Sequence, residues 1–106
     1  MDNIIKSTQV VGNSNFLNVR LVNNNTALLP TDVVIIWTGV NGTITLPTVA
    51  TGRAVYITNH GTGTITLSKP VTTASGVTST TITTAVANRY YHIVFDGTVW
   101  RRIGAD

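Results

Sequence analysis

Gly42-Thr43-Ile44-Thr45-Leu46-Pro47 and Gly63-Thr64-Ile65-Thr66-Leu67-Ser68 are near copies of one phrase. A looser third version follows at Thr80-Thr81-Ile82-Thr83-Thr84. Threonine and a long or branched aliphatic alternate with period two. Each phrase therefore places its aliphatics on one face and its hydroxyls on the other. That is the pattern of a half-buried strand with a wet, neutral outer face. Two close copies are too few to indicate a solenoid, so the phrases read as strands of one all-β domain.

Working outward, the same signal recurs. Leu17, Val19 and Leu21 alternate with Phe16, Asn18, Arg20 and Val22, giving a strand with one mostly apolar face. Val33-Val34-Ile35-Ile36-Trp37 is apolar without alternation, which predicts a strand buried on both faces, one against the core and one against a partner subunit. Arg53 to Thr58 forms another strand, ahead of the turn Asn59-His60-Gly61-Thr62-Gly63. Tyr91, Ile93 and Phe95 alternate with Tyr90, His92 and Val94. Asn41-Gly42 and Asp96-Gly97 each lie between two strand-like runs, and both dipeptides favour type I′ hairpin turns. Pro47 ends its strand, because proline cannot donate to a ladder. Lys69 to Val77 is the longest loop expected. No stretch has helical periodicity. The sum is a single antiparallel β-sandwich or barrel-like domain of about eight to nine short strands. Residues 13–106 form it, and residues 1–12 form an N-terminal arm or first strand, a possible anchor.

Composition narrows the function. The 106 residues suit one domain. Charged residues make up only 10%, against about 25% in average proteins. There is no Glu, and Thr, Asn and Ser supply the polarity. Solubility then rests on hydroxyls and amides, with some surface covered by another copy. The net charge is +3. Its bases are scattered (Arg20, Arg53, Arg89), with only Arg101-Arg102 adjoining, which argues against nucleic-acid binding. There is no Cys, hence no disulfide or thiolate metal site. The first residues lack the features of a signal peptide. No apolar run approaches the ~20 residues of a membrane span.

Nothing in the chain assembles a reaction centre. His60 and His92 have no metal-ligand spacing, so neither a metal nor a cofactor is expected. His92 falls on the face opposite Ile93 and points out of the core or into an interface. The carboxylates are Asp2, Asp32, Asp96 and Asp106, and no pair is spaced for general acid–base work. Neither a nucleophile elbow nor a Walker A loop is present. The expectation is no enzyme. Trp37, Tyr56, Tyr90, Tyr91 and Trp100 could stack on sugar rings, although Trp37, Tyr91 and Trp100 occupy positions where core aromatics are common.

Read in order, several segments resemble a known module. They are Leu28-Leu29-Pro30-Thr31-Asp32-Val33-Val34-Ile35, Ile44-Thr45-Leu46-Pro47, Gly52-Arg53-Ala54-Val55-Tyr56-Ile57-Thr58-Asn59, and Phe95-Asp96-Gly97-Thr98-Val99-Trp100. Together they resemble the β-rich module of tailed-bacteriophage structural proteins, those of tail fibres, head fibres and capsid decoration. The resemblance spans roughly residues 27–104. It implies a homotrimer on the outer surface of a virion, made in the host cytoplasm, docked on another capsid or tail protein and without catalytic residues. A carbohydrate- or host-receptor-binding module of a tail fibre is the alternative. The chain departs from the pattern after Lys69, where Thr72-Thr73-Ala74-Ser75-Gly76 replaces the usual Asp-Gly turn. Candidate interface or ligand contacts are Ile4 and Ile5 in the arm, Trp37, Tyr90, His92 and Trp100 among the aromatics, and the basic pair Arg101 and Arg102.

Overall fold

The three Thr-and-aliphatic phrases become three adjacent strands. A computed structural model describes residues 17–73, 75–83 and 90–105. Within them the chain forms β1 (Val19–Val22), β2 (Thr26–Ala27), β3 (Val34–Trp37), β4 (Gly42–Thr45), β5 (Ala54–Asn59), β6 (Ile65–Thr72), β7 (Thr78–Ile82), β8 (Tyr90–Phe95) and β9 (Trp100–Ala105). No helix occurs among the described residues. The strands make one sheet in the order β1-β3-β5-β8-β9-β6-β4-β2, with β7 paired to β6. The sheet curls into a nearly closed barrel, so the all-β, nine-strand, barrel-like expectation holds.

The directions of pairing differ from the expected antiparallel arrangement. β1, β3 and β5 run parallel to one another, as do β2, β4 and β6. Only β5–β8, β8–β9 and β6–β7 are antiparallel, and β9 joins β6 in parallel. The chain therefore winds as a coil, laying one strand in each of two rows per rung. β1 with β2 is the first rung, β3 with β4 the second, and β5 with the start of β6 the third. The repeated phrase is the visible part of this coil. Ile44 pairs with Leu67 and Gly42 with Ile65, so the two copies stack in parallel with a two-residue stagger. An even stagger keeps every aliphatic on the inner face. The third version adds on antiparallel, with Ile65 opposite Ile82 and Thr66 opposite Thr81.

Corner contacts hold the rungs in line. Thr38 N–H donates to Val22 C=O and His60 N–H to Trp37 C=O, each at 2.8 Å. Asn25 Oδ1 accepts Thr43 N–H, and Asn41 Oδ1 accepts Thr64 N–H, both at 2.8 Å. Each of these asparagines passes its side chain from one rung to the backbone of the next, satisfying a donor that the turn would orphan. Asn41-Gly42 is thus a corner and not a hairpin turn, because β3 and β4 lie in different rows. Gly42 is needed there because a Cβ would run into the Trp37 indole.

The core fills the space between the rows. Ile35, Trp37, Ile44, Val55, Ile57, Ile65, Val71, Ile82, Tyr91, Ile93 and Trp100 are buried in one cluster. The inner side of β1 adds Val22 and the guanidinium of Arg20. Arg20 clasps the buried Asp32 with two hydrogen bonds, Nε to Oδ1 at 2.9 Å and Nη2 to Oδ2 at 2.7 Å. Asp32 also accepts Leu29 N–H, and Arg53 donates to the Asp32 and Leu29 carbonyls. This network fixes the link between β2 and β3. Desolvation pushes the Asp32 pKa up, but the hydrogen bonds from Arg20 and Leu29 and the charges of Arg20 and Arg53 outweigh it. The net direction is downward.

One further expectation is corrected. Lys69 and Pro70 belong to β6, and the loop shrinks to the few residues before Thr78. Pro70 is accommodated where the register of β6 with β7 shifts between Thr66 and Val71. In β3, Ile35 and Trp37 are buried against the core, whereas Val34 and Ile36 are half-buried on the other side, the one expected to meet a partner subunit. The Asp96-Gly97 hairpin between β8 and β9 is present, with Gly97 at φ 103°. The arm at residues 1–12 lies outside the described residues.

Candidate interaction surface

The alternation in β1 points the opposite way from the usual expectation for an apolar strand face. Val19 and Leu21 face outward, and Arg20 and Val22 face inward. Leu17, Val19 and Leu21 are 64%, 48% and 69% exposed. Register then assembles a face across four strands. Val19, Val34, Tyr56 and His92 are successive neighbours, and so are Leu21, Ile36, Thr58 and Tyr90. Val34, Ile36, Tyr56, Tyr90 and His92 are all half-buried. No charged side chain lies in either row.

Aromatic rings form the centre of this face. The Tyr56 ring stacks on the His92 imidazole, with centroids 3.7 Å apart and planes 14° from parallel. It also meets the Tyr90 ring at 6.1 Å and 21°. Such pairs are worth about 0.5–1.5 kcal/mol beyond their burial. They fix three flat rings on a strand scaffold with little rotamer freedom left to lose. Gly104 lies opposite His92 in β9 and offers no side chain to cover it.

The other sequence candidates are elsewhere. Trp37 is fully buried and donates its Nε1–H to Val40 C=O at 2.8 Å, so it serves neither an interface nor a sugar. Trp100 is 1% exposed and packs on Phe95 with centroids 5.5 Å apart. It is a core residue for the same reason: both tryptophans fall on inward positions of their strands. Arg102 sits over the Tyr91 ring at 4.9 Å from its centroid. Arg101 is exposed and pairs with Asp96. Ile4 and Ile5 lie outside the described residues. Of the named aromatics the structure therefore brings Tyr90 and His92 onto one outer face and places the rings of Trp37 and Trp100 in the core.

Val19 and Leu21 join the face without a signal in the sequence, whereas Tyr56 is among the rings able to stack on sugars and Val34 and Ile36 lie in the run expected to meet a partner. The alternation of β1 was readable, but which of its two sides meets the core depends on Arg20 finding Asp32 twelve residues later. The two described carboxylates are occupied: Asp32 in its clasp, and Asp96 by the Thr98 and Val99 amides and Arg101. Comparison with known proteins finds no matching family model, no matching curated protein and no matching solved structure.

Proposed function

We propose that this chain is a structural protein of a tailed-bacteriophage virion. It self-associates as a homotrimer on the outer surface of the particle and docks on another virion protein, as capsid decoration or as part of a head or tail fibre. The observation that carries the reading is the charge-free face of Val19, Leu21, Val34, Ile36, Tyr56, Tyr90 and His92. Exposed contiguous apolar surface of this kind marks association sites in soluble proteins. Without like charges, identical faces meet with no repulsion. Support for the virion comes from the motif order across residues 27–104. The Thr-Leu-Pro phrase starts on the last residue of β4, Arg53 precedes β5 at Ala54–Asn59, and Asp-Gly-Thr-x-Trp is the β8–β9 hairpin. A second reading, binding of a host-surface glycan, is favoured by one observation: the Tyr90–Tyr56–His92 stack offers flat rings on the outside of a rigid sheet.

Sedimentation velocity tests the main reading. The expected result is a species of three chain masses at micromolar concentration. Leu21→Lys combined with Ile36→Lys should give a monomer with an unchanged β-type circular dichroism spectrum. A monomeric wild type, or a trimer that survives both lysines, overturns it. If the trimer is absent and a glycan array shows binding lost in Tyr90→Ala, the second reading takes its place.

A further inference from the structure

The far end of the barrel carries a cleft that shares no residue with the apolar face. It has a volume of about 480 Å³ and lies between Thr48, the Lys69-Pro70 stretch of β6 and the hairpin tip at 97–99. Phe95, Pro70 and Val99 give it apolar walls. The polar groups that line it are Thr48, Lys69, Thr98 and Trp100, and no carboxylate is among them.

Two of these groups stand out. Lys69 Nζ rests on Thr48 Oγ1 at 3.1 Å and has no acidic partner among the described residues. The Trp100 indole Nε1 is buried with no hydrogen-bond partner. An indole nitrogen is a donor only, and leaving it unpaired away from water is costly. The molecule's other tryptophan shows the ordinary solution, since Trp37 Nε1 has Val40 C=O at 2.8 Å. A cationic donor thus lines the cleft, and one of the cleft's lining residues carries a buried neutral donor without a partner. What complements them is an acceptor with negative charge, attached to an apolar body.

We infer that this cleft binds a small organic carboxylate. Its carboxylate accepts from Lys69 Nζ and Trp100 Nε1, and its apolar portion packs on Phe95, Pro70 and Val99. The Gly97-Thr98 tip is the wall that yields to bring the ligand to the indole, because it projects beyond the last backbone bond of the hairpin, Asp96 N–H to Val99 C=O. Pockets of this size and mixed lining hold small ligands with a few fixed polar contacts. The site is independent of the self-association reading, and its test does not depend on the oligomeric state.

The two indole N–H groups give a direct measurement. In a ¹⁵N–¹H correlation spectrum of the full chain, Trp37 and Trp100 each contribute one side-chain signal, and Trp100→Phe assigns them by deletion. Titration with N-acetyl-L-phenylalanine should move the Trp100 signal and leave that of Trp37 in place. N-acetyl-L-phenylalaninamide, which lacks the charge, should bind at least tenfold more weakly. Lys69→Met, at a half-buried site, should weaken the carboxylate at least tenfold with the fold intact. D-glucuronate in a parallel titration identifies the kind of body: shifts as large as those of the acylated amino acid assign a hydroxylated acid, and smaller shifts assign an apolar one. Three results overturn the inference: no movement of the Trp100 signal with either acid, equal binding of the amide, or undiminished binding by the Lys69→Met protein.

Discussion

Asn41-Gly42 and Asp96-Gly97 look alike in the sequence and do opposite things in the fold. Asp96-Gly97 reverses the chain, so that β8 and β9 pair with Phe95 opposite Trp100. Asn41-Gly42 carries the chain round a corner between rows, and its flanking strands never pair. The glycines differ accordingly. Gly97 adopts φ 103°, a conformation that side chains avoid. Gly42 is needed for space, because Trp37 packs where its side chain would be. One region of the molecule is a coil of parallel rungs held by corner asparagines and a buried ion pair. The other is a local antiparallel hairpin that closes it. A turn dipeptide reports that the chain bends, and the buried side chains nearby decide whether the strands then meet.

If the coil depends on long-range closure and the hairpin does not, the largest loss should come from the coil's clasp. Arg20→Met removes the partner of a carboxylate that is 2% exposed, while the link from Leu29 to Asp32 loses its anchor. Breaking a buried pair from one side costs about 3 kcal/mol or somewhat more. Some of that is recovered here, since Arg20 itself is partly exposed and Arg53 stays close. A loss of about 2–3 kcal/mol in urea unfolding is expected. A change below about 0.5 kcal/mol would mean that β1 is held by its apolar contacts alone and that the clasp is incidental.

The two glycines give the sharper contrast. Gly42→Ala forces a methyl group against the Trp37 ring and should cost about 2 kcal/mol through overpacking. Beyond its backbone penalty, Gly97→Ala meets only the Thr51 side chain, whose Oγ1 comes to 2.7 Å and can turn away. It should cost about 1 kcal/mol, the expense of a left-handed residue. Trp37→Leu should partly rescue Gly42→Ala and do nothing for Gly97→Ala. Equal costs without rescue would erase the distinction between a corner and a hairpin.

The period-two phrases made the strands, the inward aliphatics and the all-β class legible. Tyr91, Ile93 and Phe95 could be assigned to the core from alternation alone, and they are buried there. Pairing direction was not legible, because period two is common to parallel and antiparallel strands. The stagger of Ile44 on Leu67 and the reach of Asn25 and Asn41 to the next rung are relations across about twenty residues, which local propensity does not encode. The outward face had the same obstacle. Leu17, Val19 and Leu21 would ordinarily face the core, and Arg20 would ordinarily be solvated. The buried Asp32 reverses that assignment, and nothing local to β1 announces it. Tyr90 and His92 were found because they alternate with clear core residues. Tyr56 was placed beside them only by the β5–β8 register.

The smallest expected effect lies in the hairpin's own electrostatics. The Asp96 carboxylate accepts the Val99 amide, the Arg101 guanidinium and the Thr98 amide, which together lower its pKa to about 2. The ordinary value is about 3.9. A folded-state pKa below the unfolded one means that the ionised group favours the fold. That contribution is complete above about pH 4 and is lost as pH falls towards about 2. Asp32 is shifted in the same direction, so the wild type alone cannot separate the two. Asp96→Asn can, because it leaves the clasp of the coil untouched. Its urea midpoint should lie slightly below that of the wild type at pH 7, and the two should converge as pH approaches 2. A gap that persists unchanged to pH 2 would mean that the side chain supports the turn by its shape and not its charge. The hairpin would then be as independent of ionisation as its short loop suggests, and acid sensitivity would belong to the coil through Asp32.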